Sequence, residues 1–93
     1  MVVHVYGKPG CEFCVRAKDK LRRLGVPYED HDIREFTAYH EGWREDGSVD
    51  VLAAYSEMNR LPLIRVGEKI MDYTAAMKAL KQVHRQQQER VGA

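Results

Sequence analysis

Charge of either sign is nearly absent in excess. The 93 residues carry 15 Lys and Arg against 14 Asp and Glu, a formal net charge of +1. Such a balance gives no drive toward nucleic acid or a membrane surface through net charge. Long apolar runs are also missing: none approaches the ~20 residues that span a bilayer. The opening residues show no basic segment followed by an apolar one, so no signal peptide is expected. The expected compartment is the cytoplasm, where thiols stay reduced. Cysteine is scarce, with only Cys11 and Cys14. The loop between them is too short to staple a fold, because a structural disulfide gains from closing a long loop. Structural zinc asks for four ligands. No second Cys pair follows, and His4, His31, His40 and His84 show no ligand spacing relative to one another. No resident metal is expected, and the two cysteines are better placed for chemistry.

What remains is enough for one domain over 1–93, with 44% hydrophobic residues to supply a core. Residues 2–6, β-branched and aromatic, read as a strand that ends at Gly7. Gly7-Lys8-Pro9-Gly10 is a loop. From Cys11 to Leu24 the period becomes helical, with Val15, Ala17, Leu21 and Leu24 apolar and arginines and lysines on the other faces. Gly25 and Pro27 end that helix. Residues 26–33 make a weaker, polar strand suited to a sheet edge. Strand, helix and strand within about 30 residues imply a parallel pair with a right-handed crossover.

Residues 34–48 are the least readable and look like a variable insertion. Ser48 suits the N-cap of a helix to about Asn59, with Val49, Leu52, Ala53 and Met58 inward. Residues 61–66 read as a strand, Gly67-Glu68-Lys69 as a turn, and 70–73 as the returning strand of a hairpin. Thr74 suits the cap of a last helix, with Met77, Leu80 and Val83 on its buried stripe. Residues 85–93 have no apolar face and read as a frayed tail. The expected fold is α/β, a four-stranded mixed sheet flanked by helices in the order β-α-β-α-β-β-α.

Cys-X-X-Cys at a strand-to-helix junction has a physical rationale. Unpaired N–H groups and the positive dipole end at the helix start favour an anion, so the Cys11 thiolate is stabilised below the ~8.5 of a free thiol. Only the thiolate attacks a disulfide. Cys14 lies about one turn on, in reach to resolve a mixed disulfide. Lys8 adds positive charge nearby, whereas Glu12 adds negative charge and pushes the other way. Pro62 is tolerated at a strand start. Trp43 reads either as cover for the core edge or, with Tyr39, His40 and Arg44, as a surface that meets a protein partner. His4 reads as a packed or edge residue rather than an acid or base.

The segment from Tyr6 through Gly7-Lys8-Pro9-Gly10-Cys11-Glu12-Phe13-Cys14 to Lys18 resembles the active-site segment of glutaredoxins. Gly25-Val26-Pro27-Tyr28-Glu29 is similar to the family's second strand, Leu61-Pro62 to its cis-proline site, and Gly67-Glu68-Lys69 to its hairpin. The resemblance implies a thioredoxin-like fold, a cis Pro62 beside the Cys pair, and disulfide reduction with electrons from glutathione. It also implies that Lys8, Phe13 and the Leu61 backbone contact glutathione, and that Thr74 stands at an anion-binding turn. Three positions depart from the family pattern: Glu12 for the usual Pro, Phe13 for the usual Tyr, and Met71-Asp72 for a Gly-Gly pair that lets a ligand approach the backbone.

Within this reading Cys11 attacks and Cys14 resolves, acting on protein disulfides or glutathione mixed disulfides. Glutathione is the expected co-substrate, no cofactor is held permanently, and the chain is expected to be a monomer. Two alternatives stay open. One is an electron carrier reduced by a flavoprotein, thioredoxin reductase. The other is a module whose Cys pair holds a metal or an iron–sulfur cluster between two chains.

Overall fold

The computed structural model describes the backbone of residues 2–92 and the side chains of residues 2–82. The elements run β1 (Val3–Gly7), α1 (Glu12–Arg23), β2 (Tyr28–Asp32), α2 (Ile33–Thr37), α3 (Ser48–Met58), β3 (Leu63–Val66), β4 (Lys69–Met71) and α4 (Tyr73–Gly92). They form one four-stranded sheet in the order β2-β1-β3-β4. β1 pairs with β2 in parallel and with β3 antiparallel, and β3 and β4 form the hairpin. This is the expected mixed sheet with the polar strand at an edge. The 34–48 segment adds one element to the expected order, the single-turn α2.

Alternation along β1 divides the core between the two faces of the sheet. Val3 and Val5 join Ala17 and Leu21 of α1, Ile64 of β3, and Ala76, Met77 and Leu80 of α4. Tyr6 faces the other way, where Ile33, Val51 and Leu63 are buried with it and Phe36 and Tyr55 pack alongside. Helices therefore cover both faces: α1 and α4 on one, α2 and α3 on the other.

Helix α1 ends in a Schellman motif. The Val26 N–H donates to the Leu21 carbonyl at 2.9 Å and the Gly25 N–H to the Arg22 carbonyl at 3.1 Å, with Gly25 at φ +69°. Its inner face is Cys14, Ala17 and Leu21, and Val15 is 60% exposed, so Cys14 takes the inward place expected of Val15.

Helix α3 departs further from expectation. Ser48 is its first residue, after Gly47 at the cap position. The capping acceptor is the Asp46 carboxylate, which receives the Ser48 N–H at 2.9 Å and the Ser48 hydroxyl at 2.5 Å. Ser48 and Val51 are buried, Ala54, Tyr55 and Met58 are half-buried, and Val49 and Ala53 are exposed. The inward stripe is thus rotated from the expected one. A cluster of small residues leaves the helical phase ambiguous, and the anchor is a serine whose hydroxyl is satisfied locally.

At the last helix the cap is Asp72 rather than Thr74. The Ala75 N–H donates to Asp72 Oδ1 at 2.9 Å, and the Ala76 N–H to the Asp72 carbonyl at 3.0 Å. Met77 and Leu80 are buried as the stripe requires. The side chain of Val83 and those of the 85–93 tail lie outside the described residues. No described helix is long and apolar enough to cross a membrane.

Candidate active site

The site begins where β1 gives way to α1. Cys11 is the N-cap of α1, with extended backbone (φ −84°, ψ 110°), and its sulfur accepts the Cys14 N–H at 3.2 Å. Serine or aspartate usually offers an oxygen at such a position; here the acceptor is the Cys11 sulfur. The same N–H that caps the helix will stabilise a Cys11 thiolate, in addition to the dipole.

Cys11 and Cys14 are joined as a disulfide, with Cα atoms 5.2 Å apart. The two differ in access. Cys11 is half-buried, whereas Cys14 is 4% exposed. An incoming thiol or disulfide therefore reaches Cys11 first. Glu12, the negative neighbour, is paired with Arg16 at 2.7 Å one turn on, which offsets its charge beside the sulfur.

Gly7 has a role that sequence reasoning read only as the end of a strand. A Cβ at this position would lie 2.6 Å from Cys14 Sγ and 3.1 Å from Cys14 Cβ. Contacts that close do not occur, so the buried sulfur packs against bare backbone. The available signal was a glycine at a strand end four residues before Cys-X-X-Cys; sequence alone does not tell a packing glycine from a turn glycine.

Two cavities flank the pair, and the residues implied by the family resemblance divide between them. Phe13, Leu61 and Thr74 line one of about 280 Å³, together with Arg60, Asp72 and Tyr73. The Leu61–Pro62 peptide is cis and Pro62 is fully buried. Phe13 is 50% exposed, with the Tyr73 ring at 5.7 Å and the Arg16 guanidinium 5.3 Å over its face. Lys8 is not there. It lines the second cavity, of about 240 Å³, with Gly7, Cys14, Lys18 and His31. In that cavity Lys18 pairs with Asp30 at 3.0 Å. His31 is held below the ordinary imidazole range, first by burial and then by the nearby His4.

The N-terminus of α4 opens on the first cavity through Asp72, Tyr73 and Thr74. Its anion-attracting end is already engaged by the Asp72 carboxylate, and Arg60 stands 3.9 Å from Asp72 Oδ2. Side chains at the Met71-Asp72 positions thus do more than narrow the approach: one of them occupies the helix end.

Tyr39, His40 and Trp43 do not form part of either cavity. Tyr39 is 82% exposed and meets the Trp43 ring edge-on at 5.6 Å, with Arg44 5.9 Å over Trp43. Trp43 belongs to neither buried cluster of the core. His40 turns to Asp46 at 2.6 Å instead. That contact raises the His40 pKa, and with the bonds from Ser48 it lowers Asp46 to about 2.

The family pattern described as Glutaredoxin matches residues 3–71. A glutaredoxin of Haemophilus influenzae is 35% identical over 83 residues, covering 84% of this chain and 92% of its own length. A glutaredoxin of Vibrio cholerae is 38% identical over 42 residues, 45% of this chain and 48% of its own. Among solved structures, a thioredoxin-like protein crystallised as a point mutant aligns with a TM-score of 0.52 at 20% identity. It covers 75% of this chain and 82% of that one, and it speaks for the thioredoxin-like fold. A match across most of the chain, with a Cys-X-X-Cys pair capping a helix after the first strand, leads to one conclusion: the chain belongs to the glutaredoxin family and is a thiol–disulfide oxidoreductase.

Proposed function

We propose that this protein reduces mixed disulfides between proteins and glutathione, with glutathione as the electron donor. The observation that carries the reading is the cavity shared by Phe13, Leu61, Thr74 and Arg60. It joins the first turn of the Cys11 helix to the backbone beside cis Pro62 and to the start of α4. Its lining offers aromatic faces from Phe13 and Tyr73 and a cation, Arg60, which stands beside the Asp72 carboxylate, and the aromatic faces and the cation suit a short acidic peptide thiol.

The chemistry follows from the geometry. The Cys11 thiolate attacks the glutathione sulfur of the mixed disulfide, and the protein substrate leaves as a thiolate that takes up a proton. A second glutathione thiolate then attacks the glutathione sulfur on Cys11, releasing oxidised glutathione and restoring Cys11. With a protein disulfide as substrate, Cys14 attacks Cys11 instead and leaves the Cys11–Cys14 disulfide, which two glutathione molecules reduce. No permanently held cofactor enters either route. Its setting is a reducing compartment, the cytoplasm, where glutathione keeps thiols reduced.

The Asp72 cap favours a second reading. Its carboxylate competes with a glutathione carboxylate for the start of α4. A carrier reduced by thioredoxin reductase would not need that subsite. The deciding experiment is turnover of a small glutathione mixed disulfide with glutathione and glutathione reductase, run beside thioredoxin reductase. Turnover in the glutathione system alone supports the first reading, and turnover only with thioredoxin reductase replaces it with the second. Silence in both overturns both and leaves the Cys pair as a ligand pair for a metal or cluster.

A further inference from the structure

Three ligand-bearing side chains converge on the α2–α3 face of the sheet, across the β1–β2 pair. His4 of β1 and Glu29 of β2 are register partners, and His31 follows Glu29 by two residues, so all three project to one face. His4 Nδ1 lies 3.0 Å from His31 Nε2 and 3.3 Å from Glu29 Oε2, and His31 Nε2 lies 3.6 Å from the same carboxylate oxygen.

We propose that His4, Glu29 and His31 form a binding site for a borderline divalent cation of the zinc class, with a fourth position open to water. The distances carry the argument. Around zinc with ligands at 2.0–2.1 Å, the edge of the coordination tetrahedron is about 3.3 Å. The three separations of 3.0, 3.3 and 3.6 Å bracket that edge. A cation about 2.05 Å from all three atoms would stand roughly 0.7 Å out of their plane, close to the position of the centre of a tetrahedron above one face. Two imidazole nitrogens with one carboxylate oxygen suit zinc, cobalt, nickel or copper better than calcium or magnesium.

The rings are also held in place. His31 stacks on Tyr6 at 5.1 Å, and Phe36 meets its edge at 5.1 Å. His4 stacks against His31 at 5.2 Å. A parallel strand pair fixes the backbones beneath them, so binding requires little ordering of ligands beyond Glu29, whose side chain is 57% exposed. The two imidazole nitrogens lie 3.0 Å apart, and a cation between them would replace that contact by taking a lone pair from each.

The spacing His4…Glu29-X-His31 follows no short sequence motif, because two ligands are neighbours only through strand register. The site takes no ligand from either cysteine, although His31 also lines the cavity beside Cys14, so cation binding and disulfide turnover are measured separately.

The test uses full-length, tag-free protein in its oxidised form, where the Cys11–Cys14 disulfide removes the thiolates as competing ligands. Titration with Zn2+ alone, followed by calorimetry, is expected to show one equivalent bound. Co2+ alone is expected to give the intense visible bands of a four-coordinate site. His4→Ala and His31→Ala should each weaken Zn2+ binding at least about tenfold, a loss of ~1.4 kcal/mol, while His40→Ala leaves it unchanged. In unaltered protein, Co2+ should broaden and shift the imidazole resonances of His4 and His31 and spare those of His40, a readout independent of whether any variant folds. Absence of binding by the unaltered protein, unchanged affinity in the His4→Ala/His31→Ala double variant, or Co2+ perturbation centred on His40 would each overturn the proposal.

Discussion

Helices α1 and α4 both start at the sheet's working end, and their first turns are closed differently. At α1 the acceptor is the Cys11 sulfur, which receives the Cys14 N–H. At α4 it is the Asp72 carboxylate, which receives the Ala75 N–H. The first helix thus leaves its favourable end to a group that changes charge during reaction. The second has its end neutralised by a fixed charge of the chain. A helix start can therefore serve as reactive centre or as settled structure, and the identity of one capping side chain decides which.

The sharpest way to break this contrast is Cys11→Ser. A hydroxyl still caps α1, so the fold is retained, but disulfide turnover should vanish in either reductase system. Retained turnover would overturn the assignment of Cys11 as the attacking group.

Gly7→Ala attacks the same helix from beneath. The added methyl meets Cys14 Sγ at 2.6 Å, and the sulfur or the strand has to shift. A loss of about 1–3 kcal/mol in denaturant unfolding is expected, with slower resolution by Cys14 of a trapped Cys11 mixed disulfide. An unchanged midpoint and unchanged resolution rate would mean that the site relaxes freely.

At the other helix, Asp72→Asn keeps a capping oxygen and removes the charge. The KM for glutathione should fall about two- to fivefold, in keeping with the ~0.3–1 kcal/mol of a charge at a helix end, with kcat little changed. A KM that rises would show that Asp72 assists glutathione binding rather than competing with it.

The smallest effect concerns a third cap, the Asp46 carboxylate at α3. Its pKa is lowered to about 2 by His40 and Ser48, so its contribution is complete above the unfolded value of 3.8 and fades as pH falls toward 2. The His40 pKa is raised above 6.5 by Asp46, so its contribution is full below 6.5 and is lost as pH rises through the folded value. Protection of the Ser48 amide in hydrogen exchange, corrected for intrinsic rate, should form a plateau between those limits. Asp46→Asn should flatten both edges, and a profile unmoved by that change would place the pH dependence elsewhere.

Sequence alone carried the parts of this molecule that repeat a pattern. β1, α1 and the hairpin were legible because Val3 and Val5 alternate, Ala17 and Leu21 recur at helical spacing, and Gly25 and Gly67 stand where chains turn. The Cys pair was legible because its spacing is short and falls at a strand-to-helix junction. Helix α2 escaped, since five residues are too few to display a period. The face of α3 escaped because Ser48 anchors it. Asp46 and Asp72 were overlooked as caps because Ser48 and Thr74, each two residues later, have equally suitable side chains. Lys8 and Phe13 are near neighbours in the chain, yet they line separate cavities because α1 starts between them. The three ligands on β1 and β2 are adjacent only by strand register, which no local pattern displays.

The sequence contains one tryptophan, Trp43, and it rests against Tyr39 and Arg44 outside both buried clusters. Its emission is thus a reporter of the turns between α2 and α3 and not of the hydrophobic interior. A melting curve read by tryptophan fluorescence would record the loosening of that segment, whereas far-ultraviolet circular dichroism would record the loss of the helices. Two different midpoints from the two methods would follow from where this indole sits, without an intermediate of the whole domain.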